Sequence, residues 1–129
     1  MPKLLIIEDD KWFAEVLTEF LSLDFTVKTI KNPEDFFDIY DKWQPDVLLA
    51  DVLLGTKNLF TLLNEVQSYN DTRELPIVIL SSFSQQIDAK DVVDFNIKKV
   101  LDKAKIVPSE LRKTMRDVYE KSQIGREKK

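Results

Sequence analysis

The segment LLIIEDD, residues 4–10, decides the fold class of this chain, because four apolar residues run directly into three carboxylates. Three later segments repeat the arrangement with other polar groups: VLLAD at 47–51, IVILSS at 77–82 and VLDK at 100–103. Short apolar runs of this kind are typical of parallel strands that are buried on both faces. If all four are strands of one sheet, carboxylates, a hydroxyl and an ammonium meet at its carboxyl edge, where open α/β sheets bind ligands.

Strand-like and helix-like segments alternate along the chain, which is typical of βα units around a parallel sheet. The predicted strands are residues 3–7, 25–30, 47–50, 77–80 and 99–101. The pattern predicts an α/β fold: a flavodoxin-like, doubly wound sheet of five parallel strands in order 2-1-3-4-5, with five helices.

Capping residues and apolar stripes set the predicted helix boundaries. Asp9 or Asp10 caps the first helix, and Asn32 followed by Pro33 begins the second. We predict a loop at 55–58, a third helix from 59, a weak helix over 88–95 and a final helix over 108–122. The chain is expected to form one domain over residues 1–122, followed by a short charged tail over 123–129.

Composition excludes several classes of function. The chain has 129 residues, of which 43% are hydrophobic and 33% charged, as in soluble globular proteins. It has neither cysteine nor histidine, which rules out disulfides, thiolate metal sites and histidine chemistry. The net charge of −4 argues against nucleic acid as a direct partner. We find neither a run of the ~20 apolar residues that a membrane span needs nor a signal sequence, and we predict a cytoplasmic protein.

Three carboxylates, Glu8, Asp9 and Asp51, would be crowded together at the carboxyl edge of such a sheet. One lysine cannot neutralise three acids, whereas carboxylate oxygens are the ligands that Mg²⁺ prefers. Each acid taken alone is more simply a helix cap or a solvated side chain. Their joint placement with Ser81 and Lys103 favours a site in which an aspartate accepts a phosphoryl group.

These residues make the chain resemble the receiver domain of two-component response regulators over essentially its whole length. The resemblance rests on the acidic pair after the first strand, QPDVLLAD before Asp51, the hydroxyl of Ser81 about thirty residues on, and Lys103. It implies that Asp51 is the phosphoacceptor and that Ser81 and Lys103 bind the phosphoryl group. It also implies that Asp9, Asp51 and the Leu53 carbonyl bind Mg²⁺ directly, with Glu8 acting through water.

The implied protein is a phosphorylation-dependent signalling switch, not an enzyme beyond its own phosphorylation and dephosphorylation. Its implied partners are a histidine kinase or phosphotransfer protein and a downstream protein effector, with no direct contact to nucleic acid or membrane. Lysines and arginines in the last third of the chain could form a charged partner surface, although a solvated surface is an equally good interpretation: Lys90, Lys98, Lys99, Arg112 and Arg116.

Four positions depart from the family pattern. Gly55 and Leu59 stand where the family usually has Pro and Gly, and Ala104 stands where Pro usually follows the lysine. We therefore predict a trans Lys103–Ala104 peptide bond. Val100 replaces the usual aromatic switch residue, so we predict that the signal runs through Ser81 and the following loop, with Phe83 as its aromatic member. The predicted switch residues are thus Ser81, Phe83 and Val100.

Three other functions compete with this one. A pseudo-receiver, which binds partners without being phosphorylated, is the main alternative. A phosphohydrolase of the haloacid dehalogenase type needs a second Asp two residues after the nucleophile, where Leu53 stands. Flavin binding needs a phosphate cradle after the first strand, and Glu8, Asp9 and Asp10 would repel that phosphate.

Overall fold

The computed structural model describes residues 1–52, 56–82 and 89–127. Within this part of the chain, five strands form one sheet: β1 (Lys3–Ile7), β2 (Thr26–Ile30), β3 (Val47–Asp51), β4 (Ile77–Ser81) and β5 (Ile97–Asp102). All neighbouring pairs are parallel, in the order β2-β1-β3-β4-β5. The predicted fold class is confirmed.

Five α-helices cover the two faces of the sheet in the described residues: α1 (Lys11–Leu21), α2 (Phe36–Trp43), α3 (Thr56–Ser68), α4 (Ala89–Asp94) and α5 (Pro108–Glu127). One core cluster joins alternate residues of the central strands to α1 and α5, and a second joins the other set to α2, α3 and α4. None of these helices has the length and apolar character needed to cross a membrane. The cytoplasmic location stays a prediction.

The strand registers bring the polar strand ends to one level. β3 and β4 are buried throughout, as is β1 except at Lys3, which explains their continuous apolar sequences. Ile7 pairs with Ala50, so the residue after β1 lies level with Asp51 at the end of β3. Ser81 at the end of β4 pairs with the last residue of β5. The carboxyl edge therefore collects side chains from four strands.

One predicted helix start is confirmed and another was wrong. Asn32 is the N-cap of the second helical segment, which begins as a 3-10 turn over Pro33–Asp35 without a side-chain capping hydrogen bond and continues directly into α2. Residues 56–58 belong to α3 and not to a loop, whereas Gly55 lies outside the described residues. An apolar stripe marks only the buried face of a helix, so it misses a first turn that does not yet carry that stripe.

The last strand and the last helix are longer than predicted. Ile77 and Val78 of β4 pair with Ile97 and Lys99 of β5, so the exposed Lys98 is the bulged residue and the exposed Lys99 follows it. This bulge breaks the alternation on which the strand prediction rested. Helix α5 continues to Glu127, five residues beyond the predicted end at 122, because Gln, Arg and Glu sustain a helix without burial.

Candidate functional site

The carboxyl ends of three strands, β1, β3 and β5, meet around the ammonium group of Lys103. Glu8 follows β1, Asp51 ends β3 and Lys103 follows β5. The Lys103 Nζ donates hydrogen bonds to Glu8 Oε1 at 2.9 Å and to Asp51 Oδ2 at 2.7 Å. These contacts join residues that are 95 and 52 positions apart in the chain. The structure therefore brings together three of the predicted site residues.

Burial makes this cluster electrostatically strained. The Glu8 side chain is fully buried and that of Asp51 is 4% exposed. Burial, followed by the neighbouring Asp51 carboxyl group, raises the pKa of Glu8 to about 8, despite the opposing effect of Lys103. For Lys103, burial acts to lower the pKa, but the hydrogen bonds to Asp51 and Glu8 together raise it. In the absence of a metal the site therefore favours a charged Lys103 and a protonated Glu8, because one ammonium group cannot hold two buried carboxyl groups in their ionised forms.

The acidic side of the cluster fits a hard divalent cation. Glu8, Asp9 and Asp51 each offer a carboxylate oxygen, and these oxygens all lie within 4.8 Å of one another. The buried Oε2 atom of Glu8 accepts no hydrogen bond from the described residues. A buried carboxylate oxygen of this kind is costly unless it is paired. Mg²⁺, which prefers carboxylates and water, would satisfy it.

Asp9 can join this cluster because its neighbour caps the helix. Asp10 is the N-cap of α1, and its Oδ1 accepts a hydrogen bond from the Phe13 backbone N–H at 3.1 Å. Both Asp9 and Asp10 were candidates for the cap, and the structure assigns it to Asp10. Asp9 is exposed at the carboxyl edge, with an oxygen near those of Glu8 and Asp51.

Ser81 lies at the same edge, one residue beyond the partner of Asp51. In the β3–β4 register Asp51 pairs with Leu80, and Ser81 follows as the buried last residue of β4. The hydroxyl of Ser81 is thus carried by the strand that neighbours Asp51. Its predicted role towards a phosphoryl group is a proposal developed below.

The other predicted residues fall into two groups. Leu53 and Phe83 lie outside the described residues, as does most of the loop that follows Ser82. Val100 is half-buried and packs against the core cluster on the α2–α4 side of the sheet. The Lys103–Ala104 bond is trans, since the described residues contain no cis peptide, and this prediction is confirmed.

One contact at the site was not predicted. The Lys103 Nζ lies 4.4 Å from the centre of the Phe13 ring, at the distance of a cation–π interaction. The sequence analysis assigned Phe13 to the core stripe of the first helix, and its ring does pack against the α1–α5 cluster. The only sequence signal was its position three residues after the capping Asp10.

Two of the five basic residues in the predicted charged surface, Arg112 and Arg116, form ion pairs with Asp24. Arg112 Nε lies 2.8 Å from Asp24 Oδ2, and Arg116 Nη1 lies 3.3 Å from the same atom. The hydrogen bond from Arg112 is the main cause of a lowered pKa at Asp24. Both arginines therefore fasten α5 to the turn after α1.

Comparison with known proteins places the chain in the family that the sequence analysis predicted. The sequence profile of the response regulator receiver domain matches residues 4–116. The transcriptional regulatory protein KdpE of Staphylococcus aureus is 32% identical over 85 residues, which cover 65% of this chain and 36% of KdpE. The chain spans only 8–37% of the length of the first curated relatives that it matches.

Solved structures show the same fold at lower identity. A sensor protein from Polaromonas sp. JS666 superposes with a TM-score of 0.84 at 19% identity, covering 94% of this chain and 98% of that one. The receiver domain of sensor histidine kinase PA1611 from Pseudomonas aeruginosa, whose structure has a magnesium ion coordinated in the active site cleft, gives 0.78 at 19% identity. That match covers 92% of this chain and 98% of the receiver domain.

Proposed function

The chain belongs to the response regulator receiver domain family of two-component signalling, and on this basis we propose that it is a switch that accepts a phosphoryl group on Asp51. The observation that carries the proposal is the Lys103 ammonium, which bridges Glu8 and Asp51 at the carboxyl edge. This arrangement pairs Asp51 with an ammonium group and sets a cation where the charge of an incoming phosphoryl group would lie.

The reaction is a displacement at phosphorus. A carboxylate oxygen of Asp51 attacks the phosphorus atom of the donor and forms an O–P bond. The bond from phosphorus to the leaving group breaks, and the leaving group departs with the electron pair. A carboxylate oxygen carries no proton to lose, so this attack needs no general base, and the Lys103 ammonium lies 2.7 Å from Asp51 Oδ2. The ammonium then pairs with an oxygen of the bound phosphoryl group, and we assign the Ser81 hydroxyl to a second such oxygen.

Magnesium is the proposed cofactor. Asp9, Asp51 and the Leu53 carbonyl would bind it directly, and Glu8 would bind it through water. When bound, Mg²⁺ would neutralise charge on the phosphoryl oxygens. Support comes from the unpaired Glu8 Oε2, from the spacing of the three carboxylates and from the magnesium ion in the PA1611 receiver domain.

The proposed phosphodonor is a histidine kinase or a phosphotransfer protein, and the output is contact with a downstream protein. Membership of the family supports the donor, as does the match to the sensor histidine kinase TmoS of Ectopseudomonas mendocina. These 129 residues contain no histidine, so the phosphohistidine of such a donor lies outside them.

Intact-protein mass spectrometry tests the proposal directly. Wild type incubated with a small acyl phosphate and Mg²⁺ should gain the mass of one phosphoryl group, and Asp51→Asn should gain none. Asp46→Asn is the matched control and should gain the same mass as wild type, because Asp46 lies just before β3 and its side chain accepts a hydrogen bond from Lys3 N. Full labelling of Asp51→Asn would overturn the assignment. Wild type that takes no label would favour the pseudo-receiver alternative.

A further inference from the structure

The Lys103 ammonium group contacts the face of the Phe13 ring in addition to its two carboxylate partners. Two sides are occupied by Glu8 and Asp51, and the ring centre lies 4.4 Å from Nζ. The side chain of Lys103 is only 16% exposed, so little water competes for the ammonium. A cation over an aromatic face is attracted by the ring quadrupole, and more strongly where water is largely excluded.

Both partners of this contact are held by their backbones. The Phe13 N–H is hydrogen-bonded by the Asp10 cap, which fixes the first turn of α1. On the other side, Asp102 Oδ1 accepts a hydrogen bond from Ala104 N at 2.9 Å and starts the 3-10 turn Lys103–Lys105. The ring and the lysine therefore approach each other from two capped turns. Such a contact is more persistent than one between two free surface side chains.

An aromatic ring face is a suitable contact for the Lys103 ammonium, because this group exchanges hydrogen-bond acceptors when Asp51 is phosphorylated. The carboxylate of Asp51 holds the ammonium by a directed hydrogen bond, and one N–H of the ammonium must turn towards a phosphoryl oxygen once Asp51 is modified. The attraction of the ring has no such directional demand. The ring can therefore hold the ammonium while its hydrogen bonds are exchanged.

We propose that Phe13 is a positioning residue for phosphorylation: its ring face keeps the Lys103 ammonium over Asp51 before and after phosphoryl transfer. The proposal rests on the proposed function of Asp51. In this proposal Phe13 acts only through Lys103.

The test compares Phe13→Leu, which keeps an apolar side chain but loses the ring, with Phe13→Tyr, which keeps the ring. Phe20→Leu is the matched control, because Phe20 is a half-buried aromatic residue of the same helix and core cluster, two turns from the site. The rate of phosphorylation by a small acyl phosphate at saturating Mg²⁺ should fall roughly 3- to 20-fold in Phe13→Leu. Phe13→Tyr should restore it to within about twofold, and Phe20→Leu should leave it unchanged.

A double-mutant cycle separates positioning from general packing. In a Lys103→Ala background, Phe13→Leu should have no further effect on the rate, because the group that the ring positions is gone. An equal loss in both backgrounds would overturn the proposal. So would a Phe13→Tyr rate as low as that of Phe13→Leu.

Nuclear magnetic resonance tests the contact without any phosphorylation. The ring face should shift the Lys103 ε-methylene protons upfield in wild type, and Phe13→Leu should remove this shift, with Lys103→Arg identifying the signal. An absent shift in wild type would overturn the proposal. If wild type shows the shift but takes no phosphoryl group, the proposed function fails while the contact stands.

Discussion

Replacing Glu8 with Gln should remove a loss of stability that the metal-free protein suffers as the pH rises. Burial and the Asp51 carboxyl group raise the pKa of Glu8 from 4.5 to about 8. Between these two values the folded state binds a proton that the unfolded state has lost. The free energy of unfolding therefore falls as the pH rises through this window, and the contribution is present in full only below it.

The size of the effect follows from the shift. Linkage between the ordinary and the raised pKa of Glu8 gives a loss of stability of a few kcal/mol between pH 5 and pH 8. Because the protonation of Glu8 is linked to that of Asp51 and Lys103, we expect about 2 kcal/mol. Gln has nearly the same shape and can still accept the hydrogen bond from Lys103, but it carries no charge at either pH.

Urea unfolding in the presence of a chelator, at pH 5 and pH 8, measures this difference. Wild type should lose about 2 kcal/mol relative to Glu8→Gln between the two pH values. Effects of other titrating groups, such as Asp24, cancel in the comparison. Excess Mg²⁺ at pH 8 should stabilise wild type more than the variant. Parallel pH dependences in the two proteins would refute the argument that Glu8 is strained in the metal-free site.

Three further predictions concern Asp51, Asp24 and the pair Leu53 and Phe83. In the presence of a chelator, Asp51→Ala should have a higher melting temperature than wild type, because the substitution relieves like-charge repulsion between carboxyl groups. This difference in melting temperature should narrow when Mg²⁺ is added, and a lower melting temperature of the variant in chelator would count against the prediction. Asp24→Asn should lower the melting temperature modestly at pH 7, because it weakens the ion pair with Arg112. The difference from wild type should shrink below pH 4 as Asp24 is protonated. No difference at pH 7 would show that this ion pair does not stabilise the fold. The double variant Leu53→Asn, Phe83→Glu should lose its phosphoryl group at least severalfold faster than wild type, since polar side chains can hold the attacking water; a wild-type half-life of seconds would contradict this.

The central strands and the identities of the charged site residues could be predicted because burial and topology both act on them. A strand covered by helices on both faces must be apolar throughout, so VLLA and IVIL stand out from the sequence. In a parallel sheet the residues that follow such strands share one edge. The placement of Glu8 and Asp51 at one edge follows from these two facts, whereas Lys103 follows the partly exposed strand β5 and reaches Asp51 with its long side chain.

Other features depend on contacts that sequence spacing does not encode. The ring of Phe13 has the spacing of a core residue, and its approach to Lys103 requires the packing of α1 beside the end of β5. The bulge at Lys98 conceals the start of β5, because two consecutive exposed lysines do not alternate.

The central claim, that Asp51 carries the phosphoryl group, is tested most directly by locating the label. Wild type treated with a small acyl phosphate and Mg²⁺ is reduced with borohydride, which converts an aspartyl phosphate to homoserine, and is then sequenced by tandem mass spectrometry. We expect homoserine at position 51 and nowhere else, only in the sample that received both donor and Mg²⁺. Homoserine at Asp9 or Asp102, or a labelled protein with an unmodified Asp51, would contradict the account.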